Sequence, residues 1–222
     1  MSKIGVLSDT HNCLRQPVTE LLQSCDAIIH AGDFCTPDIF YQLQSIAPLY
    51  AVRGNVDKDC AINLPETLSI ELFGLKIFIV HNRKTIPKSE DLSHKDFIIY
   101  GHSHKYEEIK ADGLTWLNPG SCGPKRFLLP VTMAVIHIEE GHAYQIERIE
   151  FPYGKGSPEK EGSPENIRTI VLNVMRETDK GKSVTSIARK NHISEELATL
   201  ICRLYLTHPG VDIDGILKKM GL

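Results

Sequence analysis

Strand-like runs in this chain repeatedly end on side chains that can hold a metal ion. Asp9 and His11 follow "IGVLS", Asp33 follows "IIHAG", Asn55 follows "YAVRG", His81 follows "IFIV", and His102 with His104 follow "IIYG". Carboxylate, imidazole and amide donors together suit borderline divalent ions such as Mn²⁺, Fe²⁺ or Zn²⁺ better than Ca²⁺ or Mg²⁺. Seven such side chains exceed the four of a tetrahedral zinc site, and they suit two ions about 3.5–4 Å apart that share one carboxylate. On that reading His102 and His104 serve different ions from one loop.

Elements that gather these residues follow from the hydrophobic pattern. Strand-like "KIGVLSD" (3–9), "AIIHAGD" (27–33) and "LYAVRGN" (49–55) alternate with helical segments near 16–24 and 37–46, a βαβαβ order. The carboxyl ends of parallel strands converge on one crevice, so ligands distant in sequence meet there. Gly32, Gly54 and Gly101 precede three of the ligands and are expected to supply tight turns. Closely spaced strands follow at 67–72, 76–82, 96–102, 107–113, 114–120, 132–141 and 143–151, with hairpin turns at Phe73-Gly74 and Glu140-Gly141. Pro, Gly, Ser and charge over 152–164 mark a linker. The expected organisation is a domain over 1–152, a linker over 153–164 and a helical module over 165–222. Helices are expected at 165–178, 184–191, 194–207 and 212–220.

Composition excludes several classes. A net charge of −3 with interspersed signs gives neither a basic field for nucleic acid nor a polybasic membrane patch. No apolar run approaches the ~20 residues of a membrane helix, and the N-terminus runs straight into a strand pattern. A cytoplasmic protein is expected. The six cysteines, at 13, 25, 35, 60, 122 and 202, form no CxxC pair and read as small buried hydrophobes.

In chain order, "SDTH" (8–11), "AGD" (31–33), "RGNVD" (53–57), "VH" (80–81) and "GHSH" (101–104), followed by "NPGS" (118–121), resemble the calcineurin-like metallophosphoesterases. The small bacterial and archaeal phosphodiesterase branch is the nearest in pattern. The resemblance covers residues 1–151. It implies a four-layer α/β/β/α sandwich of two mixed sheets, the metallo-dependent phosphatase fold, to which the small all-α module is appended. It also implies that Asp9, His11, Asp33 and His104 hold one ion and Asp33, Asn55, His81 and His102 the other, with Asp33 as bridge. Manganese is the first expectation, with Fe²⁺, Zn²⁺ and Ni²⁺ as alternatives. Asn12 and Asn82 stand where the branch usually has glycine, and the stretch from His81 to His102 lacks a full helical pattern. Val56 replaces the histidine that many relatives use to protonate the leaving alkoxide.

The chemistry implied is hydrolysis of a phosphodiester by a hydroxide bridging two ions. Asp33 and Asn55 are the expected catalytic residues, and Asn55 and Arg126 the expected substrate contacts. Without histidine at 56, leaving groups of low pKa should react best unless water or Asp57 supplies the proton. The expected partner is a small-molecule phosphoester. Self-association is compatible with the sequence. The alternatives are a metal-binding scaffold of the same fold that binds proteins, and a phosphoesterase coupled to a DNA-binding regulator. His30 reads as a hydrogen-bonded core histidine, Trp116 as core, and Arg53 and Lys125 as solvated charges near a cleft. "SVTSIARKNHISEELATLICRLY" (183–205) has helix-turn-helix spacing, but its second helix opens on Glu195-Glu196, which phosphate would repel.

Overall fold

A computed structural model describes residues 1–57, 63–124, 129–139, 143–151, 164–193 and 195–220. The chain divides into two compact units, Met1–Pro152 and Tyr153–Leu222.

In the first unit, two five-stranded mixed sheets pack face to face. One has the order β10-β9-β1-β2-β3, with β1 Ser2–Leu7, β2 Ala27–His30, β3 Leu49–Ala51, β9 Val131–Ile138 and β10 Tyr144–Phe151. The other runs β4-β5-β6-β8-β7, with β4 Thr67–Leu72, β5 Leu75–Val80, β6 Phe97–Ile99, β7 Tyr106–Ala111 and β8 Leu114–Pro119. The parallel triplets are β1, β2, β3 in the first sheet and β5, β6, β8 in the second. Alternation decides what each strand buries. Ile4, Val6 and Ile29 meet Ile77, Ile79, Phe97 and Ile99 in the core between the sheets. The intervening Leu7 and Ile28 face outward, onto helices α1 (Gln16–Leu22) and α2 (Pro37–Ile46).

Both helices carry a proline in the first turn, Pro17 in α1 and Pro37 in α2, whose fixed φ suits that place, and Asp38 puts an acid at the positive end of α2. Their buried pairs, Val18 with Leu22 and Ile39 with Leu43, have the i, i+4 spacing of one face. Burying one such side chain is worth about 1.5–3 kcal/mol, so these four fasten the helical layer. The opposite outer layer is thin: Ile86 and Leu92 cover Phe78, Val80 and Ile98, and the segment between β5 and β6 holds only a 3₁₀ turn, Arg83–Thr85. Phe73 and Gly74 join β4 to β5 with φ of 51° and 84°, the twist a two-residue hairpin demands. The Glu140-Gly141 turn, Arg126, Lys125 and residues 153–163 of the expected 153–164 linker lie outside the described residues, and Pro164, the last of that stretch, begins a helix.

In the second unit, α3 (Pro164–Asp179), α4 (Val184–Asn191), α5 (Glu195–Thr207) and α6 (Ile213–Lys219) bury Val171, Val174, Ile187, Ala198, Ile201 and Ile216. Ser183 caps α4 by accepting the Ser186 N–H, and His192, at φ 53°, turns the chain toward α5. Asp212 caps α6 through the Gly215 N–H. Among the described residues no helix is long and apolar enough to cross a membrane.

Candidate metal centre

All seven expected ligands come together at the carboxyl ends of β1, β2, β3, β5 and β6. The loops that carry them are laced by backbone bonds. Asp9 N–H donates to Gly32 O at 2.9 Å, His11 N–H to Asp33 O at 3.0 Å and Gly101 N–H to His81 O at 2.9 Å. Asp9, His11, Asp33, His102 and His104 all have positive φ, a region costly for any residue with a Cβ. Such strain persists only where surrounding structure enforces it, and it marks functional loops.

The donor atoms fall into two groups. In one, His104 Nε2 lies 3.2 Å from Asp9 Oδ1 and 3.4 Å from His11 Nε2, and the two imidazoles stack with an interplanar angle of 6°. In the other, Asn55 Oδ1 lies 3.1 Å from His81 Nε2 and 3.0 Å from His102 Nδ1. Asp33 Oδ2 stands between them, 3.8 Å from His11 Nε2 and 3.4 Å from His81 Nε2. Ligands that share one ion at about 2.1 Å lie roughly 3.0–3.4 Å apart along the edges of its polyhedron, so most of these spacings match a coordination shell. Asp9, His11 and His104, and also Asp9, Asp33 and His81, each bring donor atoms within 4.8 Å of one another.

Burial separates a floor from a mouth. Asp9, Asp33, His81 and His104 are buried, His11 nearly so, whereas Asn55 and His102 are exposed. Asp9 Oδ2 accepts from Ser8 Oγ at 2.7 Å and from the His102 N–H at 3.0 Å. Its Oδ1 is buried and receives no hydrogen bond of good geometry. Burial pushes Asp9 up to about 6, against the opposing charge of His81 and the Ser8 bond. Asp33 goes the other way: burial would raise it, but the His81 hydrogen bond and charge and the Val56 N–H hold it at about 2. His81 is raised, because its bond to Asp33 and the charges of Asp9 and Asp33 outweigh burial. Its Nδ1–H donates to Ala31 O at 2.7 Å, which leaves Nε2 aimed into the centre. His102 is lowered by burial and by the His81 charge. A buried carboxylate oxygen with no donor, ringed by imidazole nitrogens, is the environment that a cation completes.

Some supporting residues were not legible as such. Asp57 is buried and accepts from the N–H groups of Gly54 (2.7 Å), Asp33 (2.8 Å) and Cys35 (2.9 Å). Both its oxygens are spent on tying two loops together, so it is not the proton donor that its place beside Val56 suggested. Asn118 of "NPGS" donates to Gly101 O at 2.8 Å and Ser103 Oγ at 3.0 Å, and Ser121 Oγ donates to Asp9 O at 2.8 Å. That motif therefore braces the histidine loop and the first aspartate. Cys35 Sγ lies 3.3 Å from His11 Nδ1. His30 is fully buried, 3.1 Å from Thr10 Oγ1 and accepting from the Gly32 N–H. Gly32 alone of the three loop glycines has positive φ, 94°. Gly54 and Gly101 serve close approach instead: a Cβ on either would overlap Asp33 or Ser8 respectively.

Residues 2–141 match the family model of the calcineurin-like phosphoesterase superfamily domain. The chain is 28% identical over 145 residues to a probable metallophosphoesterase of Methanothermobacter thermautotrophicus, covering 60% of this chain and 84% of the relative. It is 27% identical over 139 residues to a phosphodiesterase of Methanocaldococcus jannaschii, covering 54% and 84%. Among solved structures, a single mutant of Vps29 from Entamoeba histolytica shares the fold, with a TM-score of 0.53 and 23% identity, covering 68% of this chain and 99% of that one.

Proposed function

Because the chain belongs to the calcineurin-like phosphoesterase superfamily, we propose that its strand-end centre binds two divalent ions and hydrolyses a phosphodiester. The observation that supports this most is Asp33 Oδ2, which lies between His11 and His81 and so between the two donor groups. Asp9, His11, Asp33 and His104 would hold one ion, and Asp33, Asn55, His81 and His102 the other. Imidazole, carboxylate and amide donors suit borderline divalent ions, and manganese is the first ion to test, with iron, zinc or nickel as alternatives. A bound pair of such ions lowers the pKa of water toward about 7 and draws charge from phosphoryl oxygens.

The chain's own residues then divide the work. Asp33 fixes the spacing of the two donor groups. Asn55, exposed at the mouth, is placed to donate its amide N–H to a phosphoryl oxygen as charge grows there. The bond from water oxygen to phosphorus forms as the ester P–O bond opposite it breaks. Val56 is exposed and has no proton to give, and Asp57 is committed to backbone donors. The departing oxygen therefore takes its proton from solvent, and good leaving groups react best.

The likeness of a Methanocaldococcus phosphodiesterase supports a diester over a monoester. The test is to strip the protein of metal and assay bis-p-nitrophenyl phosphate with Mn²⁺ and the other divalent ions. Turnover that depends on the ion is expected. A folded protein that stays inactive with every ion points instead to a scaffold of the same fold.

A further inference from the structure

Two concavities open from the exposed end of the centre, and both include His102 and Asn82. Their volumes are similar, about 270 and 240 Å³. Their charges are not. The smaller contains one cation, Arg53, ion-paired with Glu66 in the same wall. The larger contains Arg83, Lys84 and Lys105 against a single carboxylate, Glu107, an excess of two positive charges.

That larger cleft is built, not merely bordered by loose side chains. Arg83 donates to Glu107 at 2.6 Å and to Tyr100 Oη at 3.2 Å, and its guanidinium lies 5.4 Å from the centroid of the Tyr100 ring. Tyr100 is buried and also donates to Glu107. These contacts neutralise Arg83 and fix the wall, which leaves the excess on Lys84 and Lys105. Both are exposed, come from different loops and enter no ion pair among the described residues. Asn82 positions the first of them. Its Oδ1 accepts the Lys84 N–H at 3.0 Å, and its carbonyl accepts from Thr85 N–H at 2.9 Å and Thr85 Oγ1 at 2.8 Å, closing the 3₁₀ turn that presents Lys84.

We infer that the enzyme prefers an asymmetric phosphodiester, with one arm carrying a further phosphate that Lys84 and Lys105 receive beside His102. The other arm, uncharged, occupies the neutral cleft of Arg53 and Glu66. The inference rests on the proposed phosphodiesterase activity and adds the substrate's charge. Two ammonium groups lining one open cleft attract a dianion, and exposure makes that attraction sensitive to salt.

The test compares the p-nitrophenyl ester of thymidine 5′-phosphate with the same ester bearing a 3′-phosphate. Both release p-nitrophenolate, so one readout serves. The wild type should show kcat/KM at least tenfold higher for the 3′-phosphorylated ester, and the preference should shrink as sodium chloride is raised. The Lys84→Ala/Lys105→Ala variant should lose the preference and keep its rate on the unphosphorylated ester within twofold, and Lys84→Glu/Lys105→Glu should reverse it. Equal rates on the two esters in the wild type overturn the inference. So does a preference that survives both double variants. If a folded protein turns over neither ester with any divalent ion, the phosphodiesterase reading itself fails, and the substrate preference with it.

Discussion

Replacing Asp9 by Asn should make the metal-free protein more stable near neutral pH, although it removes a proposed ligand. Asp9 is fully buried, its Oδ1 accepts no well-formed hydrogen bond, and burial raises its pKa from 3.8 to about 6. A carboxyl raised in this way holds its proton more tightly folded than unfolded. Its cost to stability therefore grows as pH rises from about 4 to about 6 and is complete above that window. At 1.36 kcal/mol per unit the shift corresponds to about 3 kcal/mol. Asn keeps an acceptor for Ser8 and the His102 N–H while discarding the charge. Asp33 provides the opposite sign in the same centre. Held at about 2, chiefly by His81 against the push of burial, it contributes roughly 2 kcal/mol that is present above about pH 4 and lost as pH falls through about 2. Urea denaturation of chelator-treated wild type, Asp9→Asn and Asp33→Asn at pH 7.5 and pH 4 measures both. Asp9→Asn should exceed wild type by 2–3 kcal/mol, on the order set by that shift, at pH 7.5, and lose most of the gain at pH 4. Asp33→Asn should fall below wild type at pH 7.5. An Asp9→Asn protein no more stable than wild type at pH 7.5, or equally favoured at both pH values, would refute the claim that this carboxylate is held at a cost.

Asn55→Ala should lower kcat on bis-p-nitrophenyl phosphate by about 10²-fold, the typical effect of losing a transition-state donor; single-turnover kinetics at saturating Mn²⁺ measures the chemical step. Gly101→Ala should destabilise the protein by about 1–3 kcal/mol, since the new methyl would overlap Ser8 Oγ and stand 2.7 Å from Asp9 Oδ2; thermal melts with and without metal should show a weaker metal-induced rise in Tm. A chain ending at residue 152 should remain folded and bind metal, because the first unit contains both sheets and all seven expected ligands. The 164–222 segment should not retain a DNA fragment in a salt-sensitive way, and specific retention would assign the helical unit a regulatory role.

Much of this organisation was readable because it is local. Apolar runs such as "IGVL" and "IFIV" announce buried strands, and the polar residue that ends each one announces the crevice. Phe73-Gly74 was legible as a hairpin because two strand-like runs flank it and Gly74 takes a positive φ at no steric cost. The thin outer layer over β6 was foreshadowed by the missing helical pattern between His81 and His102. What stayed hidden depends on partners far apart in the chain. Asp57 looked like an acid beside the leaving group, but only the folded loops show it spent on Asp33, Cys35 and Gly54. Gly54 and Gly101 looked like turn residues, and the reason for them is the side chain packed against each. The cationic cleft needs Lys84 and Lys105, 21 residues apart in number, to line one concavity, which no spacing rule encodes.

The proposed centre holds two ions that share Asp33. Metal-stripped protein titrated with Mn²⁺ and analysed for metal after gel filtration measures this directly, in wild type and in Asp33→Asn. Two ions per chain are expected in the wild type, with activity rising as the second binds, and fewer than one in the variant. A single ion per chain at full activity, or an Asp33→Asn protein that keeps both ions, would contradict it.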